Sequence, residues 1–464
     1  MPNGTPWREG DAGSLEPMRR KTIEMPSSET VSTKLDRIAK LAREMPGTVI
    51  TSLSHHIDLE WLREAWRRTR KDGAPGVDGA TASEYERELE ANLQSLLDRA
   101  KSGRYVAPPV KRVYIPKGRG DEKRPLGIPT LEDKVLQRAV AMCLSAVYEQ
   151  GFLECSYGFR PRRSAHQALK SLREWTMRMG QVWIVEVDIR RFFDSLDHSC
   201  LRQILQERVR DGVILRLIGK WMNAGVLEGS ELSYPDSGAP QGGVISPLLA
   251  NVYLHHVLDV WLAERVAPAL RGPMHVVRYA DDFVLAFRVE HDARRVFAAL
   301  PKRFEEFGLK LHPSKTRLID FRQPTIGRKQ KPKVSFDFLG FTHYWGRSRK
   351  GGWIVQWRTA RDRLVRSVAR VKEWCRKHRH APLRWQQQAL NRMLQGHYSY
   401  FGLTGNFRSL GSFHDAVRRL WCKWLGRRHR RARVFWAKFQ RLEARYPLLR
   451  PRLVHSVPRP AAKP

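Results

Sequence analysis

Two adjacent aspartates, Asp281 and Asp282, lie between the short apolar segments 275–278 and 283–287. Both segments have the β-branched and aromatic residues that strands favour, so the sequence predicts a hairpin with the two acids at its tip. This tip lacks the Asn-Gly or Gly residues that normally favour a two-residue turn. Adjacent carboxylates repel each other, and a divalent cation is the usual remedy. If this stretch stood alone, a solvated turn that contains two aspartates would be the better interpretation.

A third carboxylate follows a predicted buried strand elsewhere in the chain. Residues 181–188 form a nearly continuous apolar run that ends in Asp188, as expected of a strand covered on both faces. A carboxylate in that position is costly unless it is paired or bound to a metal. Asp194 and Asp197 come soon after, but they have the positions of a turn residue and a helix cap. Asp188 therefore joins Asp281 and Asp282 as a candidate metal ligand.

Basic residues precede these acids in two segments. Arg160, Arg162 and Arg163 come just before a helix that Ser164 is expected to cap, and guanidinium groups near a helix N-terminus bind phosphate well. One of these arginines could instead form a salt bridge at the edge of the core. Residues 104–128 alternate bases with strand-forming residues, which suits contact with a nucleic-acid backbone or a triphosphate. A solvated strand face explains that segment equally well.

The distribution of charge indicates a polyanionic partner. The chain has 84 Lys and Arg against 47 Asp and Glu, a net charge of +37, and residues 341–464 contribute +26 of it. Nucleic acid is the natural partner of such a chain. A membrane surface competes, but the sequence has no lipidation signal and no apolar run of about 18 residues. The five scattered cysteines form no disulfide framework and the N-terminus has no apolar signal-peptide core, so we expect a cytoplasmic protein.

Apolar periodicity predicts helices at 83–100, 131–149, 248–265 and 293–307, and one short helix around residues 35–41. Three more helices are predicted after about residue 345, the first capped by Thr359 and the others at 383–400 and 413–430. Eight of the 15 Trp residues lie in residues 341–464, among many arginines. Aromatic rings beside arginines are typical of surfaces that bind RNA or single strands. For Trp421 and Trp424 we expect helix–helix packing instead.

Two carboxylates at a hairpin tip, one at a neighbouring strand end and convergent bases describe a two-metal phosphoryl-transfer site. In such a site two Mg²⁺ ions about 3.5–4 Å apart activate a 3′-hydroxyl and stabilise the leaving pyrophosphate. The surrounding segments resemble, in order, those of reverse transcriptases, and in particular of the group II intron reverse transcriptase/maturase family. The matching segments are KDGAPGVDG (71–79), RPLGIPTLEDKVLQRAV (124–140), SYGFRPRRSAHQAL (156–169), VDIRRFFDSLDH (187–198), GAPQGGVISPLLANVYL (238–254), YADD (279–282), GLKLHPSKT (308–316) and FDFLGF (336–341).

The resemblance implies an α+β fold of the right-hand polymerase type. Fingers and palm with a small antiparallel sheet and a helical thumb are followed by a helical, basic RNA-binding domain. The expected domains are a partly ordered N-terminal extension with RNA contact (1–50), fingers and palm (51–345), thumb (346–380) and a maturase-like region that binds RNA and DNA (381–464). Family members that cut their DNA target carry a C-terminal endonuclease with paired Cys and His ligands. Nothing after Arg427 supplies such pairs, so no second catalytic domain is expected.

The resemblance also implies roles for individual residues. Asp188, Asp281 and Asp282 would hold the metals, helped by the carbonyl of Ile189. Phe193 would lie under the incoming sugar, where its ring excludes a 2′-hydroxyl. The other implied nucleotide contacts are Lys117, Arg124, Gln241 and Lys315. The implied primer and template contacts are Arg160, Arg162, Tyr279 and Ala280. The residues predicted from their charge to bind RNA are Arg427, Arg428, Arg430 and Arg431.

These features predict an RNA-directed DNA polymerase that uses two Mg²⁺ ions, with Mn²⁺ as a substitute. Its partners would be an RNA template, a DNA primer or target, deoxynucleoside triphosphates and intron RNA, whose splicing and retrohoming it would assist. A reverse transcriptase of a host-defence or CRISPR-associated system is one alternative, which the catalytic segments do not exclude. An RNA-binding splicing factor with an inactive polymerase core is another, although it would have no need of three acids.

Overall fold

The computed structural model describes residues 30–116, 123–234, 238, 242–324, 334–348, 350–428 and 435–456. The helices are α1 (Val31–Glu44), α2 (Leu59–Arg68), α3 (Ala82–Arg87), α4 (Leu89–Ser102), α5 (Leu131–Tyr148), α6 (Ala165–Met179), α7 (His198–Gln206), α8 (Gly212–Met222), α9 (Ser246–Leu254), α10 (Glu290–Glu305), α11 (Arg361–Lys377), α12 (Leu383–Phe401), α13 (Phe407–Leu425) and α14 (Trp436–Arg445). The strands are β1 (Val110–Pro116), β2 (Lys123–Ile128), β3 (Trp183–Val187), β4 (Val226–Glu228), β5 (Glu231–Ser233), β6 (Met274–Tyr279), β7 (Asp282–Phe287), β8 (Arg317–Asp320), β9 (Ser335–Phe338), β10 (Phe341–Arg347) and β11 (Trp353–Thr359).

An antiparallel sheet with the strand order β6-β7-β3-β8 lies between two hydrophobic cores. Side chains alternate across a strand, so neighbouring residues face opposite cores. Val185 and Leu285 face the core that α5, α9 and α10 share, whereas Ile184 and Val284 face the core that α6 shares with the C-terminal helices. Burial on both faces explains the nearly continuous apolar sequence of β3, and the mixture of helices and small sheets confirms the predicted α+β class.

Two smaller sheets flank this one. The first has the order β2-β1-β4-β5, with β1 antiparallel to β2 and parallel to β4. The second has the order β11-β10-β9, and the sequence analysis missed most of it. Thr359, which was predicted to cap a helix, is the last residue of β11, and Ala360 is the cap residue of α11. In β11 the buried residues Val355 and Trp357 alternate with the less buried Gln356. The sequence itself contains this alternation, which is typical of a strand.

Most predicted helices are present, with different ends. Ser164 caps α6 as predicted, and Thr130 caps α5 in the same way, each by accepting a backbone N–H. The helix predicted at 83–100 is two helices, α3 and α4, which meet at Glu88 in a non-helical conformation. The helix predicted at 248–265 is α-helical only as far as Leu254, and π-helical segments follow at His255–Val260 and Leu262–Val266. Ser246 is the first residue of this helix, and Ile245 occupies the cap position.

The short helix expected near residue 35 is α1, which buries Ile38 and Ala42 in the same core as α5. Arg208 holds its C-terminal end through hydrogen bonds to the carbonyls of Ala42 and Met45. Residues 30–50 therefore pack against the core that α5, α9 and α10 share, whereas residues 1–29 lie outside the described residues. Among the described residues, no helix combines the length and apolar character that crossing a bilayer requires.

Candidate active site

The predicted hairpin is confirmed, and it carries the two acids at its tip. β6 and β7 pair in register up to Tyr279 and Asp282, which leaves a two-residue turn of Ala280 and Asp281. Ala280 has a φ of 57°, in the left-handed region that a residue with a side chain rarely adopts. A non-glycine residue keeps this conformation only when its surroundings hold it there, so the turn depends on contacts outside the hairpin.

The register of the sheet brings the third acid to the same place. Val187 of β3 pairs with Phe283 of β7. Because β3 and β7 are antiparallel, the residue after Val187 lies opposite the residue before Phe283. Asp188 therefore lies opposite Asp282. Side chains so placed share one face of the sheet and have Cβ atoms about 4.5–5.5 Å apart. The three candidate metal ligands therefore meet at one end of the sheet.

The electrostatics of these acids reflect crowding. Asp282 reaches solvent at the floor of an open cavity of about 270 Å³. Although Asp282 is exposed to this cavity, the protein atoms around it desolvate the carboxylate and raise its pKa to about 6, and the charges of Asp281 and Asp188 add to that rise. Burial also raises the pKa of Asp281, again with a contribution from Asp188. Positive charge from Arg124 opposes the rise at both acids. The nearby positive charge does not offset the desolvation and mutual repulsion of the three carboxylates, and a bound cation would do so.

Lys315 forms an ion pair with one of these acids. Its Nζ lies 3.0 Å from Oδ2 of Asp188. The turn at residues 312–315 positions it, because the N–H of His312 donates to the Asp188 carbonyl at 2.8 Å and the N–H of Lys315 donates to the His312 carbonyl at 3.2 Å. The pairing indicates that this carboxylate suits a positively charged ligand.

The carboxylates do not form a closed cage. Within the described residues, no group of three or more His, Cys, Asp or Glu side chains is close enough to be a ready-made metal site. Mg²⁺ does not require such a cage, because it keeps several waters and is usually held by one or two carboxylates together with substrate phosphates. Ile189 lies beside Asp188, and its carbonyl takes no part in the two hydrogen bonds that join Asp188 and Arg190 to residues 310–312.

The implied nucleotide contacts surround the acids from distant parts of the sequence. Arg124 is an exposed residue of β2 that lies near enough to the acids to lower the pKa of Asp281 and Asp282. The ring of Phe193 is partly buried against Phe192, with ring centroids 5.3 Å apart. Lys117 and Gln241 lie outside the described residues.

Two described glycines, Gly238 and Gly242, lie close to other parts of the site. Gly238, with φ of 96°, lies against the backbone of Phe193 and Asp194, since a Cβ there would be 3.0 Å from the Phe193 carbonyl oxygen and 2.9 Å from the Asp194 carbonyl oxygen. Gly242, with φ of 121°, lies closer still to Gly127 of β2, where a Cβ would be 2.6 Å from the carbonyl oxygen. Both positions need glycine. Gly238 is therefore beside Phe193, and Gly242 is beside the strand that carries Arg124.

Arg160 forms a salt bridge instead of contacting phosphate, and the sequence had left both roles open. Its guanidinium is buried, donates to Glu149 at 3.0 Å and donates to the carbonyls of Leu153 and Ser156 at 2.8 and 2.9 Å. The predicted nucleic-acid contact is corrected here, because these bonds occupy the group and hold the loop in place. Arg162 is exposed, with a φ of 59°. Tyr279 is partly buried beside the acids.

Sequence reasoning missed several residues that line the same cavity: Glu186, Arg317, Asp337, Asp362 and Arg363. Arg363, at the start of α11, lowers the pKa of Asp282. Arg317 and Glu186 form an ion pair at 2.5 Å across β3 and β8. These five residues are difficult to single out in the sequence, since each is one of many charged residues in a basic chain. Glu186 and Arg317 lie on the central sheet, whereas Asp337 comes from β9 of the third sheet and Asp362 and Arg363 come from α11.

The predicted RNA-binding arginines have different surroundings. Arg427 is exposed, lies with its guanidinium 5.4 Å from the Trp424 ring and lines an open cavity of about 440 Å³. Arg428 instead donates to the carbonyls of Arg379 and Ala381 at 2.5 and 2.7 Å, so its main contacts are structural. Arg430 and Arg431 lie outside the described residues. The packing expectation is confirmed for Trp421, which is buried and donates to Gln386 at 2.8 Å. Trp424 is only partly buried.

The chain contains a reverse transcriptase domain, because residues 115–343 match the family model described as reverse transcriptase (RNA-dependent DNA polymerase). Residues 364–442 match a second model, described as the maturase-specific domain of group II introns. With both domains in this order, the chain belongs to the group II intron reverse transcriptase/maturase family.

Individual relatives agree with this assignment. The chain is 40% identical over 212 residues to protein YkfC of Escherichia coli, an alignment that covers 44% of this chain and 55% of the relative. It is 32% identical over 308 residues to the group II intron-encoded protein LtrA of Lactococcus lactis, covering 66% of this chain and 46% of LtrA. A 91 kDa protein in the cob intron of Schizosaccharomyces pombe is 32% identical over 233 residues, covering 50% of this chain and 28% of the relative. The chain thus spans about half the length of the first two relatives.

Proposed function

We propose that this chain is an RNA-directed DNA polymerase that also binds intron RNA and assists its splicing. The main support for polymerase activity is the register of the central sheet. This register sets Asp188 opposite Asp282, beside the turn that bears Asp281. The observation that carries splicing is the maturase-specific match at residues 364–442, which also favours an intron setting over a defence system. An inactive polymerase core would not need Asp188 and Asp281 beside Asp282, since their charges raise the pKa of Asp282.

The chemistry proposed for the site uses two metal ions. Bound Mg²⁺, or Mn²⁺ in its place, would activate a primer 3′-hydroxyl and stabilise the leaving pyrophosphate. Asp188, Asp281 and Asp282 would hold the ions, with the Ile189 carbonyl as a further ligand. Each carboxylate must then be deprotonated, so a cation that lowers the pKa of Asp282 also prepares its own ligand.

The side chains around the acids would bind the incoming deoxynucleotide. Arg124 would neutralise its triphosphate, because its charge already acts on the acids. Lys315 would exchange the Asp188 carboxylate for a phosphate oxygen. Phe193 would lie against the sugar and exclude a 2′-hydroxyl. We keep Lys117 and Gln241 as nucleotide contacts, and Arg162, Tyr279 and Ala280 as primer or template contacts.

The proposed architecture is a right hand, with fingers and palm at 51–345, thumb at 346–380 and a maturase-like region at 381–464. Residues 1–50 would be an extension that contacts RNA. Two adjacent features support an RNA surface in the C-terminal part. Arg376, Lys377, Arg379, Trp424 and Arg427 line one basic cavity.

The second feature is a stacked array of aromatic rings on α11 and α12. The Trp374 and Trp385 rings are 5.6 Å apart at 22°, and the Trp374 and His378 rings are 4.8 Å apart at 26°. Trp385 is 42% exposed, so one end of the array is open to solvent. An exposed ring beside several cations is the arrangement on which an unpaired base stacks while its phosphates are neutralised.

Asp281→Asn tests the polymerase proposal. The substitution keeps the shape of the side chain and removes its charge, so primer extension on an RNA template with Mg²⁺ should fall on the order of 10²–10³-fold. Affinity for RNA, measured by filter binding, should stay within about twofold of wild type because the RNA surface lies elsewhere.

Asp320→Asn is the matched control. Asp320 pairs with Trp183 on the same sheet, five residues along β3 from Asp188, a separation of about 16 Å. Loss of its charge should leave extension unchanged. A normal rate in Asp281→Asn would refute the metal assignment, and equal losses in both variants would point to a general effect of charge.

A further inference from the structure

Arg278 is a fully buried arginine of β6, two residues before the turn that carries Asp281. Its Nε donates to Oδ1 of Asp259 at 2.8 Å and its Nη2 donates to Oδ2 at 2.5 Å, a bidentate ion pair. Its Nη1 donates to the Asn251 side-chain oxygen at 2.9 Å and to the carbonyl of Ala280 at 3.2 Å. A single guanidinium thus joins the α9 region to the peptide that links Ala280 and Asp281.

The partner of Arg278 belongs to an unusual segment. Asp259 is buried and lies in the π-helical segment His255–Val260. Single π turns inside helices are rare and occur often at functional sites. Burial alone would raise the pKa of Asp259, but Arg278 and His255 hold it below its ordinary value, so the carboxylate is charged. Two buried charges are costly to keep out of water unless they are well paired, and apolar residues would fill the same space at lower cost.

A second connection reaches the turn through the neighbouring loop. The Asn251 side-chain amide donates to the Gly158 carbonyl at 2.7 Å. Gly158 lies directly against the turn, since a Cβ there would be 2.3 Å from the Ala280 backbone nitrogen. The backbone of Arg278 itself accepts from the N–H of Tyr157 and donates to the Cys155 carbonyl, both at 2.8 Å. The turn is therefore held from the inside by one connected set of hydrogen bonds.

This set explains how Ala280 keeps its left-handed conformation. The Ala280 carbonyl belongs to the same peptide plane as the Asp281 nitrogen, so a bond to that oxygen restrains the rotation that would redirect the Asp281 side chain. If the Arg278–Asp259 ion pair served only to stabilise the core, Arg278 would not need to donate to the Ala280 carbonyl as well. Groups that orient metal ligands from behind typically change metal affinity or activity 10–100-fold when they are replaced.

We propose that Arg278 is a positioning residue, which orients Asp281 and Asp282 towards Asp188 by tying the Ala280 carbonyl to Asp259 and Asn251. The proposal rests on the proposed function, because it gives the three acids a common task. Arg278 touches neither metal nor substrate, so its effect would pass through the turn. Its replacement should therefore weaken metal binding and lower kcat, while KM for the deoxynucleotide stays nearly unchanged.

The test is Arg278→Lys, which keeps the charge but cannot hold Asp259 with two bonds and reach Ala280 at once. Arg418→Lys is the matched control, because Arg418 forms a bidentate pair with Glu443 at 2.7 and 2.6 Å away from the turn. Binding of Mn²⁺ alone is measured by water-proton relaxation, next to steady-state primer extension and thermal unfolding. Arg278→Lys should lose about tenfold or more in both Mn²⁺ affinity and kcat. Arg418→Lys should change only the unfolding temperature.

Asn251→Ala is the second variant, for the case that Arg278→Lys does not fold. It removes the link to Gly158 and leaves the ion pair intact, so a smaller loss in the same two quantities is expected. Normal Mn²⁺ affinity and kcat in a folded Arg278→Lys protein, or in Asn251→Ala, would overturn the proposal.

The metal measurement separates this proposal from the polymerase assignment. A wild-type protein that binds Mn²⁺ without extending primers would contradict the proposed function, yet the comparison of Mn²⁺ affinities would still decide the role of Arg278. A wild-type protein that binds no Mn²⁺ would overturn the positioning role too.

Discussion

Gly158→Ala should disturb the catalytic turn by steric contact alone. A Cβ at this position would lie 2.3 Å from the Ala280 nitrogen, 2.9 Å from the Tyr279 carbonyl carbon and 3.1 Å from the Ala280 Cα. All three atoms are backbone atoms of the turn, so no side-chain rotation can relieve the contact. The loop of Gly158 cannot withdraw freely either, because its carbonyl is bonded to Asn251 at 2.7 Å.

The size of the effect follows from these distances. The closest contact falls about 1.1 Å short of the 3.4 Å at which ordinary Cβ contacts begin. A displacement of about 1 Å at a reacting group costs on the order of 10²-fold in rate. Overpacking of this kind also destabilises a core by about 1–3 kcal/mol. We therefore expect primer extension to fall about 100-fold in a protein that remains folded.

Single-turnover extension of a primer on an RNA template measures the loss, and denaturant unfolding measures stability. Gly219→Ala is the control, because Gly219 lies within α8 with nothing within 4 Å of its Cβ position. Alanine there should stabilise the helix by up to about 1 kcal/mol and leave extension unchanged. An extension rate for Gly158→Ala within about threefold of wild type would refute the reasoning that the loop holds the turn.

Three further predictions concern other parts of the molecule. Phe193→Ala should admit ribonucleotides, measured as the ratio of ribonucleotide to deoxynucleotide incorporation, because it removes the ring proposed to exclude the 2′-hydroxyl. Arg427→Ala should weaken RNA binding and reduce the slope of log K against log salt by up to about one, since one phosphate contact is lost. Asp133→Asn should change the pH dependence of unfolding. Burial raises the pKa of Asp133 to about 6, above the unfolded value of about 4, so its contribution to stability is present below about pH 4 and lost as pH rises through 6. The unfolding free energy of the wild type, relative to Asp133→Asn, should therefore fall by up to about 3 kcal/mol between pH 4 and 7.

Each of these predictions has a contrary outcome. Unchanged sugar discrimination in Phe193→Ala would mean that another residue forms the gate. An unchanged salt slope in Arg427→Ala would place the RNA outside the cavity beside Trp424. Parallel pH profiles for wild type and Asp133→Asn would mean that the bonds from Tyr105 and Trp221 keep this carboxyl charged at every pH tested.

Local sequence signals located the main elements of the site because short-range rules govern them. The hairpin at 275–287 and the strand that ends before Asp188 follow from apolar patterning. Thr130 and Ser164 mark helix starts, since a cap needs only its own hydroxyl and a backbone N–H three residues on. Patterning did not find β11, although its buried residues alternate, because the arginines around it favoured a helix.

The sequence by itself determined that two aspartates lie at a hairpin tip and a third follows a buried strand in a strongly basic chain, and the order of its segments indicated the family. Only the tertiary structure decided what each base does. Arg124 acts on the acids, Lys315 pairs with Asp188, Arg160 is buried against Glu149, and Arg278 holds the turn through Asp259. Arginines have the same chemistry in every one of these places. Their roles depend on strand register and on contacts between residues far apart in the chain, which no local pattern encodes.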